Sequence, residues 1–252
     1  MQKINLSILI SSALFFSACQ KDEEMVLDCN AFEWEYEGSG APVNWTGCFL
    51  DCGGQVQSPV NIANSVENGQ LSSLIHSYEN AAFEFFNNGH TVEFEYEAGS
   101  NMIFEGIPYE LLQFHFHTGS EHQLNGRQYP MEIHLVHKNV ATGNLAVIGV
   151  FFEEGNENSF LEKLGTTLPI ENERISKSEV LNVKEVLPTD GSYYTYGGSL
   201  TTPPCSEIVN WVVMENSVEA SPQQIERFHE VLRDNYRPLQ AINGRSISHY
   251  IQ

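Results

Sequence analysis

The sequence predicts a mainly β protein with peripheral helices, a single domain built around a large central, twisted and mostly antiparallel β-sheet. Two observations predict this class. Apolar and polar residues alternate in segments such as Thr91–Glu97, a pattern typical of a strand with one buried face. Turn residues such as Asn87-Asn88-Gly89 separate these segments. The 252 residues are 41% hydrophobic, enough for one substantial core, and they show no internal repeat.

The predicted elements follow one another from an ordered, loop-rich N-terminal arm that carries Trp34, Tyr36 and Trp45. The strands are predicted at Phe83–Phe86, Thr91–Glu97, Leu111–His117, Met131–His137, Asn144–Phe152, Ser192–Tyr196 and Glu207–Met214. Asn144–Phe152 is an almost continuous apolar run, which indicates a strand buried on both faces. We expect a short helix within Ser159–Leu168. A second helix begins at Ser221, because Ser-Pro-Gln-Gln supplies an N-cap, a first-turn proline and a glutamine three residues on.

The charge balance excludes one class of partner. Lys and Arg number 12 against 33 Asp and Glu, and the formal net charge is −21. Binding to phosphates requires clustered cations, so we expect no nucleic-acid partner. The acidity is interpreted as serving solubility or a salty exterior.

The first residues predict export. Residues 1–18 combine Lys3, a short apolar run and small residues before Cys19, as in a signal peptide, and the run is too short for a membrane-spanning helix. Phe16-Ser17-Ala18-Cys19 resembles a bacterial lipobox, in which the cysteine becomes the lipidated N-terminus; plain secretion to the periplasm is the alternative. We therefore expect a lipoprotein signal peptide at 1–18, a polar tether at 19–28 and the domain at 29–252. The membrane would be contacted only through the lipid, on the periplasmic side or at the cell surface.

The strand Leu111–His117 carries the first chemical signal. Alternate side chains of a strand point to opposite faces, so Gln113, His115 and His117 share one face, and Leu112, Phe114 and Phe116 share the other. Two histidines spaced in this way can offer two nitrogens to one metal ion. Taken alone, the pattern is more typical of a half-buried strand with hydrogen-bonded histidines.

Met131–His137 supplies the missing ligand. Glu132, His134 and Val136 share a face, and His134 can approach the other two histidines if the strands are antiparallel neighbours. Three histidines with an open fourth position form a typical catalytic zinc site. A metal-bound histidine also needs an acceptor for its other N–H, which Gln113 and Glu132 can supply. Together the two strands favour a Zn²⁺ site over core packing.

Six motifs then stand in the order found in the α-class carbonic anhydrases, and from about Trp34 to Ile247 the chain resembles that family. The motifs are Gln57-Ser58-Pro59-Val60-Asn61-Ile62, Asn87-Asn88-Gly89-His90, Gln113-Phe114-His115-Phe116-His117, Ser120-Glu121-His122, Glu132-Ile133-His134-Leu135-Val136-His137 and Ser199-Leu200-Thr201-Thr202-Pro203-Pro204. The resemblance implies the α-carbonic anhydrase fold and the zinc-dependent, reversible hydration of carbon dioxide to bicarbonate and a proton. Thr118 stands where many animal members have tryptophan, but no ligand is lost.

The resemblance also implies roles for individual residues. His115, His117 and His134 would bind zinc, whose hydroxide would attack carbon dioxide. Thr201 would accept a hydrogen bond from that hydroxide and donate one to Glu121, and Thr202 would help to hold bicarbonate. His90 would shuttle the proton, a task that its ordinary pKa suits. The matching residues of the water network are Tyr36 and Asn88, and those of the apolar wall for carbon dioxide are Val136, Val147, Leu200 and Trp211.

The cysteines other than Cys19 number four and allow three pairings. Exported members of the family commonly bridge the regions of Cys52 and Cys205, and this bridge would tie the N-terminal segment to the loop that holds Thr201. Cys29–Cys48 is then the remaining pair. Two alternative functions stay open on the same fold: a zinc esterase activity and a non-catalytic surface binding module. The protein is expected to be a monomer or a homodimer.

Overall fold

A computed structural model describes residues 28–165 and 167–252. The predicted signal peptide, nearly all of the tether and Cys19 lie outside the described residues. The strands are β1 (Asn61–Ile62), β2 (Val66–Glu67), β3 (Ile75–Ser77), β4 (Ala81–Asn87), β5 (Val92–Tyr96), β6 (Asn101–Phe104), β7 (Ile107–Thr118), β8 (Gln123–Leu124), β9 (Arg127–Gln128), β10 (Met131–Lys138), β11 (Leu145–Glu154), β12 (Arg174–Leu181), β13 (Tyr193–Gly198), β14 (Val209–Met214), β15 (Val218–Ala220) and β16 (Ser248–Tyr250). The helices are α1 (Pro42–Trp45), α2 (Ser159–Leu164) and α3 (Pro222–Leu232), with 3₁₀ turns at Gly38–Gly40, Leu50–Gly53 and Val183–Val186.

One large sheet dominates the described residues. Its central order is β12-β4-β5-β7-β10-β11-β14-β13-β16-β2, with β3, β6 and β15 paired off this path. Most neighbours are antiparallel, and the pairs β11–β14, β11–β15 and β16–β2 are parallel. The predicted fold class is confirmed. In the described residues, no helix is long and apolar enough to cross a membrane.

The larger of two main hydrophobic clusters lies on the face of the sheet opposite to the histidines. Phe114 has no exposed surface and stacks on Phe94, with ring centroids 4.6 Å apart and an interplanar angle of 7°. Helix α3 covers Phe116 through Phe228, whose ring centroid lies 4.5 Å away. Ser221 and Gln224 form the predicted capping box at the start of α3. Packing behind β7 therefore fixes the strand that carries two of the histidines.

The position of Leu112 differs from the prediction. The register of β7 against β10 shifts between Val136 and His137, which pair with Gln113 and Leu111 and leave Leu112 without an opposite residue. Such a β-bulge reverses the alternation beyond it. Leu112 is consequently 42% exposed, whereas Leu111 is buried in its place. The bulge lies before Gln113, so the faces predicted for the histidines are unaffected.

Strand β12 was not predicted from the sequence. It pairs only with β4 and forms one edge of the central path of the sheet. Its sequence, Arg-Ile-Ser-Lys-Ser-Glu-Val-Leu, has too few apolar residues to suggest a buried face. The segment between the predicted strands Leu111–His117 and Met131–His137 likewise contains the short strands β8 and β9, which form a separate small sheet with β1.

Two disulfides hold the N-terminal arm: the bridge that the family resemblance implied and the pair that then remained. Cys29 is bonded to Cys48, and Cys52 is bonded to Cys205 across 153 residues. Around the second bridge lies a small apolar cluster centred on the fully buried Trp45. The arm is thereby fixed beside the end of β13 and the turn that follows it.

Candidate metal centre and active site

Three histidines meet on one face of the sheet. His115 and His117 extend from β7 and His134 extends from β10, where it lies directly opposite His115. One ligand nitrogen of each lies within 4.8 Å of the other two. Residues far apart in the chain are thus brought together by the antiparallel register of two neighbouring strands.

The other ring nitrogen of each histidine lies close to an oxygen atom, and for His115 and His117 this contact is a hydrogen bond. His115 Nδ1 lies 2.8 Å from Gln113 Oε1, and His117 Nδ1 lies 2.6 Å from the backbone carbonyl of Asn235. His134 Nε2 lies 3.0 Å from Glu132 Oε1. The nitrogens left to face one another are Nε2 of His115, Nε2 of His117 and Nδ1 of His134. His117 Nε2 is buried without a hydrogen-bond partner, which is unfavourable unless a metal ion uses it.

The electrostatic surroundings favour neutral imidazoles, the form that binds a metal. Burial lowers the pKa of His115 well below its ordinary value, and the neighbouring His117 and His134 add to this effect. Burial also lowers the pKa of His117, although the nearby Glu121 opposes it. Three converging imidazole nitrogens are a donor set that fits zinc.

Glu132 stands between two histidines. Its Oε1 lies 2.8 Å from His122 Nδ1, and its Oε2 accepts a hydrogen bond from the backbone N–H of His122. Burial alone would raise its pKa, but His122 and His134 hold that pKa well below the usual range. His122 Nε2 lies 2.7 Å from the hydroxyl of Tyr196. His122 thus holds the Glu132 carboxylate through two contacts and fixes it beside His134.

Glu121 is buried beside the metal-facing nitrogens. Its Oε1 accepts a hydrogen bond of 2.8 Å from the backbone N–H of Arg237. Its Oε2 lies 3.5 Å from His117 Nε2 and has no hydrogen-bond partner. Among the residues that the structure describes, no hydrogen bond joins Thr201 to Glu121. Glu121 Oε2 is therefore the oxygen that is available to accept the expected hydrogen bond from Thr201.

The turn after β13 carries Thr201 and Thr202. Thr201 is buried, and the turn is fixed at both ends. At its start, the indole N–H of Trp211 donates to the carbonyl of Ser199. At its end, the carbonyl of Cys205 accepts from the Gln57 side chain, and the disulfide to Cys52 follows at the same residue.

The residues expected to form the apolar wall lie on the same face of the sheet as the histidines, two positions away along each strand. Val136, Val147 and Trp211 are register partners on the adjacent strands β10, β11 and β14. Leu200 packs against the same cluster. In the histidine row itself, the residue opposite His134 on β11 is Gly149. The structure thus places a small apolar surface directly beside the three histidines.

His90 lies at the edge of the site, against the N-terminal arm. Its ring stacks on Trp34, with centroids 3.6 Å apart and an interplanar angle of 16°. Asn88 Oδ1 accepts hydrogen bonds from the backbone N–H groups of His90 and Thr91, and these bonds fix the turn. Tyr36 lines the cavity next to His90, and burial and the charges of Glu121 and Glu35 raise its pKa well above the ordinary value.

Sequence reasoning missed several of these contacts. Asn235 holds His117 through a backbone carbonyl, which leaves no residue-type signal in the sequence. Trp34 was placed in the arm, but nothing in its position indicated a stack on His90. His122 was identified only as part of the motif Ser120-Glu121-His122, and its contact with Glu132 was not predicted.

Comparisons with known proteins agree with this geometry. A family model described as eukaryotic-type carbonic anhydrase matches residues 40–251. The carbonic anhydrase of Pectobacterium atrosepticum is 36% identical over 253 residues, covering 98% of this chain and 99% of that protein. The carbonic anhydrase of Klebsiella pneumoniae is 40% identical, covering 86% and 91%. The structure of Photobacterium profundum α-carbonic anhydrase superposes with a TM-score of 0.82 at 39% identity, covering 86% of this chain and 100% of that one. With its sheet and its three converging histidines, this chain belongs to the α-class carbonic anhydrases.

Proposed function

We propose that the protein catalyses the reversible hydration of carbon dioxide to bicarbonate and a proton at a zinc ion held by His115, His117 and His134, and that His90 carries the proton away. The observation that supports this most directly is the set of three imidazoles whose ligand nitrogens lie within 4.8 Å of one another, with His115 and His117 each held by an acceptor at the other ring nitrogen. When bound there, zinc supplies a Lewis acid that lowers the pKa of a coordinated water, for which the carbonic anhydrases are the standard example.

Thr201 and Glu121 orient the reacting water. Glu121 Oε1 is occupied by the Arg237 N–H, so only Oε2 is open to the Thr201 hydroxyl. If Thr201 donates its proton to Oε2, its oxygen can only accept a hydrogen bond from the water. A lone pair of the water then faces the substrate, which lies against Val136, Val147, Leu200 and Trp211. Thr202 holds the bicarbonate oxygens as the product forms.

His90 transfers the proton between the site and solution. Its position beside a cavity that Tyr36 also lines supports this role, and the family resemblance implies that Tyr36 and Asn88 order the water between His90 and the zinc site. We expect His90→Ala to lower kcat in weak buffer more than in concentrated imidazole, because free imidazole can replace the missing side chain. An equal loss in both buffers would remove His90 from this role.

Zinc analysis and stopped-flow hydration of carbon dioxide test the main proposal. We expect one zinc per chain, hydration well above the buffer rate and inhibition by an aromatic sulfonamide. His115→Ala should lose both metal and activity. His249→Ala is the matched control, since His249 contacts Glu215 away from the three ligands, and it should keep both. Zinc-loaded protein no faster than buffer would contradict the proposal.

The same assays separate the alternatives. A higher efficiency on an activated ester than on carbon dioxide would favour a zinc esterase. Partner binding that survives His115→Ala, with negligible turnover in the wild type, would favour a surface binding module.

We also propose that the protein is exported and anchored by a lipid on Cys19. The two disulfides support export, because such bonds persist mainly in oxidising compartments. Labelling with a lipid precursor should modify the wild type but not Cys19→Ser. Absence of label in the wild type would favour plain secretion to the periplasm.

A further inference from the structure

We propose that Glu35 is a positioning residue for proton transfer: its carboxylate holds the protonated ring of His90 against Trp34 and directs the proton into the adjacent acidic cavity. This inference rests on the proposed role of His90. The pair is defined by His90 Nδ1 and Glu35 Oε2, which lie 3.6 Å apart. His90 Nδ1 is buried and has no hydrogen-bond partner.

The protonated ring of His90 requires a hydrogen-bond acceptor at Nδ1, which the neutral ring does not. A neutral imidazole can leave Nδ1 as an unprotonated acceptor, whereas an imidazolium carries an N–H on both nitrogens. Within the described part of the chain, Glu35 is the one acid within 4.0 Å of a His90 ring nitrogen. A small movement of its side chain, or one bridging water, would complete the hydrogen bond. Glu35 therefore stabilises His90 in the stacked position specifically after His90 has accepted a proton.

The backbone of Glu35 is fixed, so the carboxylate starts from a defined place. Its N–H donates to the Gly40 carbonyl at 2.8 Å, and its own carbonyl accepts from the indole of the buried Trp45. A Cβ at Gly40 would lie only 2.9 Å from Glu35 Cβ, so the close approach of these two segments requires glycine. The ring of Trp34 is in turn packed edge-on against Trp45. One rigid segment thus presents both the stacking ring and the carboxylate to His90.

The cavity beside His90 and Glu35 provides the path by which the proton reaches solution. It has a volume of about 670 Å³ and is lined by Glu35 and His90 but by none of the three zinc-ligand histidines. The other charged groups that face it are Glu37 from the arm, Glu171 from the loop before β12, and Glu230, Arg233 and Asp234 from the end of α3. Because His90 Nδ1 is itself buried, the proton leaves it through the water that bridges it to Glu35 and passes to a buffer base in this cavity, and His90 returns to its neutral form.

The test compares Glu35→Gln with Glu37→Gln, a matched control that lines the same cavity without contacting His90. Proton transfer to solution follows the conversion of substrate, so it affects kcat and leaves kcat/KM unchanged. Since exposed charge pairs are weak, we expect Glu35→Gln to lower kcat in weak buffer by about two- to fivefold. Concentrated imidazole should restore it, and added salt should shrink the difference from wild type. Glu37→Gln should match wild type.

A spectroscopic measurement provides a readout that is independent of turnover. The ring current of Trp34 should shift the His90 ring-proton NMR signals upfield. At low pH this shift should persist in the wild type and be lost in Glu35→Gln. The inference is overturned if Glu35→Gln keeps both the wild-type kcat and the shift, if kcat/KM falls equally, or if Glu37→Gln shows the same loss. His90→Ala is measured in parallel: if it also leaves kcat in weak buffer unchanged, the proposed shuttle itself has failed.

Discussion

Gly149 supports the metal centre because it has no side chain. It lies opposite His134 on β11, and a Cβ placed there would come within 2.8 Å of Glu132 Oε1. Ordinary contact requires 3.4 Å or more, so Gly149→Ala must displace this oxygen by ~0.6 Å. The oxygen cannot move freely, since it lies 2.8 Å from His122 Nδ1 and 3.0 Å from His134 Nε2. The backbone conformation of Gly149 is one that alanine can adopt, because its φ angle is not positive.

We therefore expect Gly149→Ala to weaken zinc binding while leaving the fold intact. Loss of the acceptor behind a metal-bound histidine typically costs about 10- to 100-fold in metal affinity, or about 1.4–2.8 kcal/mol. Competition with a chromophoric chelator measures the Kd for zinc. Gly197→Ala is the matched control, because Gly197 also lies in a strand but a Cβ there would meet nothing within 4 Å. A folded Gly149→Ala protein with the wild-type Kd would refute the reasoning. If the variant does not fold, Glu132→Gln tests the same acceptor.

Three further predictions concern stability. Phe114→Ala removes a fully buried ring stacked on Phe94 and should lower the free energy of unfolding in urea by about 3–5 kcal/mol. Replacing both Cys52 and Cys205 by serine should cost about 5 kcal/mol, because the bridge closes a loop of 153 residues. Burial lowers the pKa of His137 from 6.5 to about 4, so between these values the unfolded chain binds more protons than the folded one. The contribution of His137 to the free energy of unfolding is therefore fully present above pH 6.5 and should fall by about 1.4 kcal/mol per pH unit towards pH 4.

Each of these has a control. Leu112→Ala, next to the core but 42% exposed, should cost less than about 1 kcal/mol, and a cost equal to that of Phe114→Ala would contradict the assigned bulge. The Cys29–Cys48 bridge closes a loop of only 19 residues, so replacing both cysteines by serine should cost about 3 kcal/mol in the same loop-closure model. A larger loss of stability than for the Cys52–Cys205 bridge would contradict that model. His137→Gln should flatten the slope of stability against pH in zinc-loaded protein, and an unchanged slope would assign the titration to another group.

Much of the site could be predicted because strand periodicity is a local property. The spacing of His115, His117 and His134 places them on predictable faces, and the acceptors Gln113 and Glu132 come two residues before the histidines that they contact. Other short-range signals predicted the buried strand β11, from its apolar run, and the start of α3, from its capping residues. It failed for the edge strand β12, whose polar sequence carries little periodic signal, and for Leu112, where a bulge interrupts the alternation.

By itself, the sequence determined the fold class, the family motifs and the three histidines of the candidate metal centre, because these follow from residue type and short-range spacing. Only the tertiary structure decided which distant groups complete the centre. Asn235 reaches His117 from a distance of 118 residues along the chain, Glu35 and Trp34 come to His90 from the N-terminal arm, and Gly149 leaves room for Glu132. These contacts depend on long-range register and on backbone atoms or an absent side chain, none of which leaves a pattern in the local sequence.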